Sequence, residues 1–233
     1  MKPIPRLNIR QMYDLFGMPV TAVDCGEFCA PHNPSGKPFC CDICQAVPAA
    51  YRQEWDYLKN NTDLWHIWLG TECPGDDTDP IGLIEDTPDY MLLLACKGPA
   101  ECQRAYRALS CRQFPFFPYI TTTGDFIGLA YDWAFEPHCW VISNLGCVTD
   151  AYREAFVQTY NRLFESVPDD MESYAIYSGQ MREYFAGRRR RIPLLHRDGG
   201  FYLVSPGSER LQSISVDRLK KFGPYNDSHQ EGG

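Results

Sequence analysis

Residues 108–120 read ALSCRQFPFFPYI, a cysteine and an arginine set directly before two prolines and three phenylalanines. Taken as packing, the run is a buried turn. Taken as chemistry, it fixes the Cys111 thiolate in a rigid, dry setting with the Arg112 guanidinium beside it to offset the charge. The choice between the two depends on where the other ten cysteines fall.

The chain carries eleven cysteines, at 25, 29, 40, 41, 44, 73, 96, 102, 111, 139 and 147, and none follows. An odd count fits a closed disulfide set poorly. The opening MKPIPRLNIRQMYDLFGMPV has two early prolines and no long apolar run, so it reads neither as a secretory signal nor as a membrane span. No window approaches the ~18 uncharged apolar residues a spanning helix needs. The longest apolar run, YMLLLAC, has the length of a buried strand. A soluble cytoplasmic protein with no membrane partner is expected. In a reducing cytosol, clustered cysteines are more often metal-binding or catalytic than paired as cystines. Disulfides stay open should the chain be exported.

At 233 residues and 44 % hydrophobic content the chain is globular, with one sizeable core and room for a smaller lobe. Net charge is −8, from 22 basic against 30 acidic residues, which argues against a nucleic-acid partner. The one basic run, GRRRRIP, reads as a solvated face or loop.

The thiols divide the sequence. Residues 20–147 hold all of them and read as a cysteine-cluster metal-binding domain; 148–221 read as a thiol-free extension packed on it, and 222–233 as a flexible tail. AVPAAYRQEWDYLKNN predicts a helix with Pro48 in its first turn and Tyr51, Trp55 and Leu58 on one face. TECPGDDTDPIGLIEDTPD, residues 71–89, predicts a loop, residues 90–95 a strand, and 99–109 a short helix. DFIGLAYDW predicts another strand. In the extension, a helix capped by Thr149 or Asp150 is followed by a second closing at Gly187. IPLLHRDGGFYLVSP then predicts a β-hairpin. The expected class is α+β: an irregular, metal-stapled domain of short helices and strands, then a helical and hairpin extension. Long irregular loops bury little apolar surface, so a bound metal is a natural staple.

Five cysteines fall within 20 residues of DCGEFCAPHNPSGKPFCCDIC: Cys25, Cys29, Cys40, Cys41 and Cys44. The C-x2-C turn of Cys41 and Cys44 lets two sulfurs converge on one ion, with backbone N–H groups left to bond the thiolates. A second group, ACKGPAECQRAYRALSCRQFPFFP, contributes Cys96, Cys102 and Cys111. Cys102 is expected in a helical first turn, where the dipole favours thiolate. An unbroken helix would place Cys102 and Cys111 about 13 Å apart, too far for one ion. Either the helix ends by about Tyr106 or the two serve different metals or one cluster. His32 is a further candidate ligand, and His138, Cys139 and Cys147 form a candidate second site. Cys73 reads as a free thiol and His66 as an interior histidine. No phosphate-binding glycine loop, dinucleotide fingerprint, H-E-x-x-H or G-x-S-x-G pattern occurs.

The pattern resembles the zinc- or iron-chelating cysteine-cluster family of YkgJ type. There an early cysteine group with an adjacent pair precedes a helix and a later block ending Cys-Arg-x-Phe-Pro. Cys96, Cys102, Tyr106, Arg107, Leu109, Cys111, Arg112, Phe114 and Pro115 stand at matching positions. Ala108 replaces the family's proline, and the Cys102–Arg107 interval is one residue shorter. The resemblance covers about residues 25–118.

Cys25, Cys29, Cys40, Cys41, Cys44, Cys96, Cys102 and Cys111 are thus the expected ligand set for zinc or iron, held singly or as an iron–sulfur cluster. Four thiolates on a divalent ion leave about −2 of charge, costly to bury unpaired. Arg112 and Arg107 are expected to offset it with charge-assisted hydrogen bonds to ligated sulfurs. The leading function is a cytoplasmic metal-binding protein. The alternatives are an enzyme like the protein lysine N-methylases that the resemblance brings in, and a metal-stapled interaction module; whether the site is catalytic stays open.

Overall fold

The computed structural model describes residues 7–73 and 79–226, and the chain is α+β. The described residues form two compact units, 7–17 with 26–113 and 18–25 with 114–226.

The first unit contains α1 (Ile9–Leu15), α2 (Gly26–Cys29), β1 (Ala49–Tyr51), α3 (Arg52–Asn61), β2 (Trp65–Ile67), α4 (Pro80–Glu85), β3 (Met91–Cys96) and α5 (Leu109–Gln113). The apolar run predicted as a strand is β3, the centre of a three-stranded antiparallel sheet in the order β1-β3-β2. Its register sets Ala50 against Leu92 and Trp65 against Cys96. Ala50, Leu58, Leu64, Leu94 and Ala108 fill the interior.

Two sequence expectations change here. The helix after Pro48 begins only at Arg52, because residues 49–51 pair with β3 and the Pro48 carbonyl accepts from Leu94 N at 2.8 Å. The helix expected over 99–109 is two 3-10 turns, Pro99–Glu101 and Arg104–Tyr106, with extended backbone at Cys102, Gln103 and Arg107. Cys102 therefore has no helical first turn around it. The loop predicted over 71–89 contains α4, whose N-cap Asp79 accepts from Ile81 N and Gly82 N; residues 74–78 lie outside the described ones.

The second unit contains β4 (Phe116–Ile120), β5 (Phe126–Tyr131), α6 (Trp140–Ser143), α7 (Asp150–Ser166), α8 (Pro168–Gly187), β6 (Ile192–His196), β7 (Phe201–Val204) and β8 (Leu211–Ile214). The strands form one antiparallel meander, β4-β5-β6-β7-β8. The buried stretch expected as a turn is thus partly an edge strand, buried at all five positions. The predicted domain boundary at 147/148 falls instead at 113/114. Its physical cause is the pairing of β5 with β6, which sets Gly128 against His196 and Leu129 against Leu195 and so ties the aromatic strands to the hairpin.

Helix α7 starts where its cap predicts: the Thr149 hydroxyl accepts from Tyr152 N. Helix α8 packs on the sheet through Met181 and Phe185, which join Phe117, Tyr119, Ile192, Leu194 and Val204 in a core free of cysteine. Ser178 Oγ accepts from Ile120 N at 3.0 Å, tying α8 to the end of β4. The tail expected to be flexible from 222 is anchored at its start: Phe222 N donates to Ser143 Oγ at 2.9 Å, and Tyr225 OH donates to the His138 carbonyl at 3.0 Å. Residues 227–233 of that tail lie outside the described ones. No helix among the described residues is long and apolar enough to cross a membrane.

Candidate metal centre

Four stretches of the first unit deliver thiols to one neighbourhood. Cys96 closes β3, Cys102 sits at the break between the two 3-10 turns, and Cys111 lies in α5. Cys40 and Cys41 end a 3-10 turn over Phe39–Cys41, their sulfurs 3.9 Å apart. Burial pushes the Cys111 thiol well above its ordinary value, and the Cys41 and Cys96 sulfurs push it further. Burial likewise raises Cys96, with Cys41 and Cys102 adding to it. Cys96 thus lies within electrostatic reach of Cys41, Cys102 and Cys111, and Cys41 within reach of Cys111, 70 residues away in sequence.

Arg107 is the cation of this group. Its Nε donates to Cys102 Sγ at 3.2 Å. Burial works against its charge, but the bond to Cys102 and the nearby Cys41 and Cys111 sulfurs outweigh that and raise its pKa. The extended backbone at Arg107, which breaks the expected helix, turns this side chain back toward a cysteine five residues earlier.

Arg112 is held mainly by backbone carbonyls. Its Nε donates to the Arg107 carbonyl at 2.9 Å, Nη1 to Phe16 O at 2.8 Å and Nη2 to Ala105 O at 2.7 Å, while the guanidinium lies 4.0 Å from the Tyr13 ring centroid. These are carbonyls at the end of α1 and in the turn before α5, so Arg112 fixes the backbone that carries Arg107. Planar guanidinium geometry suits such a many-carbonyl clasp.

Glu54 lies fully buried in α3, within electrostatic reach of Arg112. Its carboxylate accepts from Leu109 N at 2.7 Å, Tyr13 OH at 2.8 Å and Tyr51 N at 3.4 Å. The bond to Leu109 N satisfies an otherwise orphan donor at the start of α5, the helix of Cys111. Burial lifts the Glu54 carboxyl to about 7, with these hydrogen bonds holding it down in part. Sequence reading passed over Glu54 in favour of its neighbour Trp55. The available signal was spacing, since Glu54 stands one turn from both Tyr51 and Leu58 on the face read as apolar.

The loop that presents Cys40 and Cys41 is pinned by Asp42, which accepts from Ser35 Oγ at 2.7 Å, Asn33 Nδ2 at 3.0 Å and Cys44 N at 3.2 Å. Burial raises the Asp42 carboxyl, yet these bonds outweigh it and the net shift is downward.

Of the eight expected ligands, Cys40, Cys41, Cys96, Cys102 and Cys111 gather in this way. Cys29 is buried in the same unit, its Sγ 3.7 Å from the Gly26 carbonyl. Cys44 is corrected: it is joined to Cys73, expected as a free thiol, in a disulfide, and a cystine sulfur has no thiolate to offer a metal. Cys25, together with Cys139 and Cys147 of the candidate second site, belongs to the second unit, to which an isolated bridge between Thr21 and Val148 joins residues 18–25. His66 is corrected from interior to exposed, 3.5 Å from Glu72. Among the described residues no three Cys, His, Asp or Glu side chains stand in ready ligating geometry. The donor chemistry, all sulfur with one cation at the edge, nonetheless suits zinc or iron. No protein-family model, no curated protein and no solved structure matches this chain.

Proposed function

We propose that the first unit is a cysteine-ligated metal module of a cytoplasmic protein. Its ion is zinc or iron, the latter alone or as an iron–sulfur cluster. Cys41, Cys96, Cys102 and Cys111 are the principal donors, with Cys40 and Cys29 beside them. Bound there, such an ion supplies either a structural cross-link or, as an iron–sulfur centre, electron transfer. Arg107 offsets the thiolate charge and orients Cys102, Arg112 holds the Arg107 backbone, and Glu54 caps the helix of Cys111.

The observation that carries this reading is the gathering of thiols around one guanidinium, with Arg107 Nε 3.2 Å from Cys102 Sγ and the Cys41 and Cys111 sulfurs acting on the same group. Isolated structural thiols need no buried cation, whereas a metal thiolate centre does. The test is metal and acid-labile sulfide content after anaerobic purification. The expected result is near-stoichiometric zinc, or iron with sulfide and a brown colour, lost in Cys96→Ser and Cys111→Ser but retained in Cys147→Ser. A chain purified anaerobically without any bound metal overturns the proposal.

A further inference from the structure

The Cys44–Cys73 disulfide stands in the same unit as the gathered thiols and removes from them the one cysteine that spacing best pairs with Cys41. Cys44 lies three residues after Cys41, the C-x2-C interval at which two sulfurs converge on one ion. Its backbone is held in the same loop: Cys44 N donates to Asp42, the residue that also pins the Cys40–Cys41 loop through Asn33 and Ser35. Independently, both halves of the cystine line a cavity of about 740 Å³, walled by Val47, Trp68, Leu83 and Leu93. A cystine bordering a cavity offers room for a reductant, and cystines of reducing compartments are characteristically transient.

We propose that Cys44–Cys73 is a thiol–disulfide exchange site that gates the metal module, an inference that rests on the metal-binding reading above. An incoming thiolate attacks one sulfur of the cystine, forming a mixed disulfide and expelling the other cysteine as a thiolate. A second thiol attacks the mixed disulfide, releases the small-molecule disulfide and frees the remaining cysteine. Two electrons and two protons thus pass from two thiols to the protein, and Cys44 becomes a donor beside Cys41. Oxidation by a disulfide reverses both steps and withdraws it. The partner class is a low-molecular-weight thiol and its disulfide.

The test uses the full chain, stripped of metal, with zinc as the probe. Oxidised protein, and protein reduced with glutathione and then freed of it, are compared by alkylation mapped by mass spectrometry and by competition with a chromophoric chelator. Cys44 and Cys73 are expected to resist alkylation until reduction, and the reduced chain to bind zinc tighter by ~10–100-fold, the order by which groups supporting a metal site alter affinity. Cys73→Ser, checked for fold by circular dichroism, is expected to bind zinc tightly under either treatment, and Cys44→Ser weakly under either. Equal zinc affinity in the oxidised and reduced chains, or alkylation of both cysteines without reductant, overturns the gate alone. Zinc bound in neither state overturns the gate, and with no iron or acid-labile sulfide in the anaerobically purified chain it overturns the metal-binding reading as well.

Discussion

Glu54 has three donors around a fully buried carboxyl, and its proton makes the first unit pH-sensitive. Its ordinary value of 4.5 rises to about 7 in the fold because burial disfavours the charge. Between those values the folded chain keeps a proton that the unfolded chain has lost. Stability from this group is therefore full below the lower value, falls as pH rises and levels off above the upper one. Chemical denaturation across that window should show the decline, and Glu54→Gln, which retains an oxygen for Leu109 N and Tyr13 OH, should flatten it. Arg107 and Arg112 should separate in the same spirit. Arg112→Ala should destabilise the fold by about 2 kcal/mol, since charge-assisted bonds to buried carbonyls are lost. Arg107→Ala should leave the denaturation midpoint nearer to wild type and reduce metal retention, measured as metal per chain after dialysis.

Strand β5 shows how tightly the second unit's elements are matched. A Cβ at Gly128 would lie 2.4 Å from the Leu195 carbonyl and 3.0 Å from His196 Cα, so only glycine lets β5 pair with β6 at this point. Gly128→Ala should cost about 1–3 kcal/mol, the range for forcing atoms into a packed site, read as a lowered melting temperature. Behind the sheet, Glu136 accepts two bonds from Arg190 and one from Tyr131 OH at 2.8 Å, with the carboxylate itself nearly buried. Glu136→Ala leaves Arg190 and Tyr131 without that acceptor. A loss of about 3 kcal/mol is expected, at the low end for a broken buried pair because Arg190 keeps partial solvent access.

The two units draw on different sources of stability. The second has an aromatic and aliphatic core, extended by Trp133 stacked on Tyr177 at 4.9 Å. The first has a small three-stranded sheet and a long loop system held by Asp42, Arg112, Glu54 and a cystine. Reduction combined with chelation should therefore loosen the first unit selectively. In limited proteolysis read by mass spectrometry, new cleavages should map to 26–113, while 114–226 stays protected and its near-ultraviolet dichroism persists. Cleavage spread evenly over both would contradict this division.

Local chemistry alone specified the elements that close on themselves. Thr149 caps α7, the apolar run of β3 has strand length, and Asp198-Gly199-Gly200 turns the β6–β7 hairpin, each through interactions within a few residues. The α+β class was readable for the same reason: short-range spacing carries it. Strand β4 was hidden because Pro118 argues against a strand, and it is tolerated here at the sheet edge, where its missing N–H breaks no ladder. The carbonyl targets of Arg112, the partner of Cys44 and the burial of Glu54 were decided by which distant segments meet. Backbone acceptors carry no residue signature, and cystine connectivity does not follow from spacing. Thiols announce themselves in a sequence; the cation and the carboxyl that serve them are selected only by long-range packing.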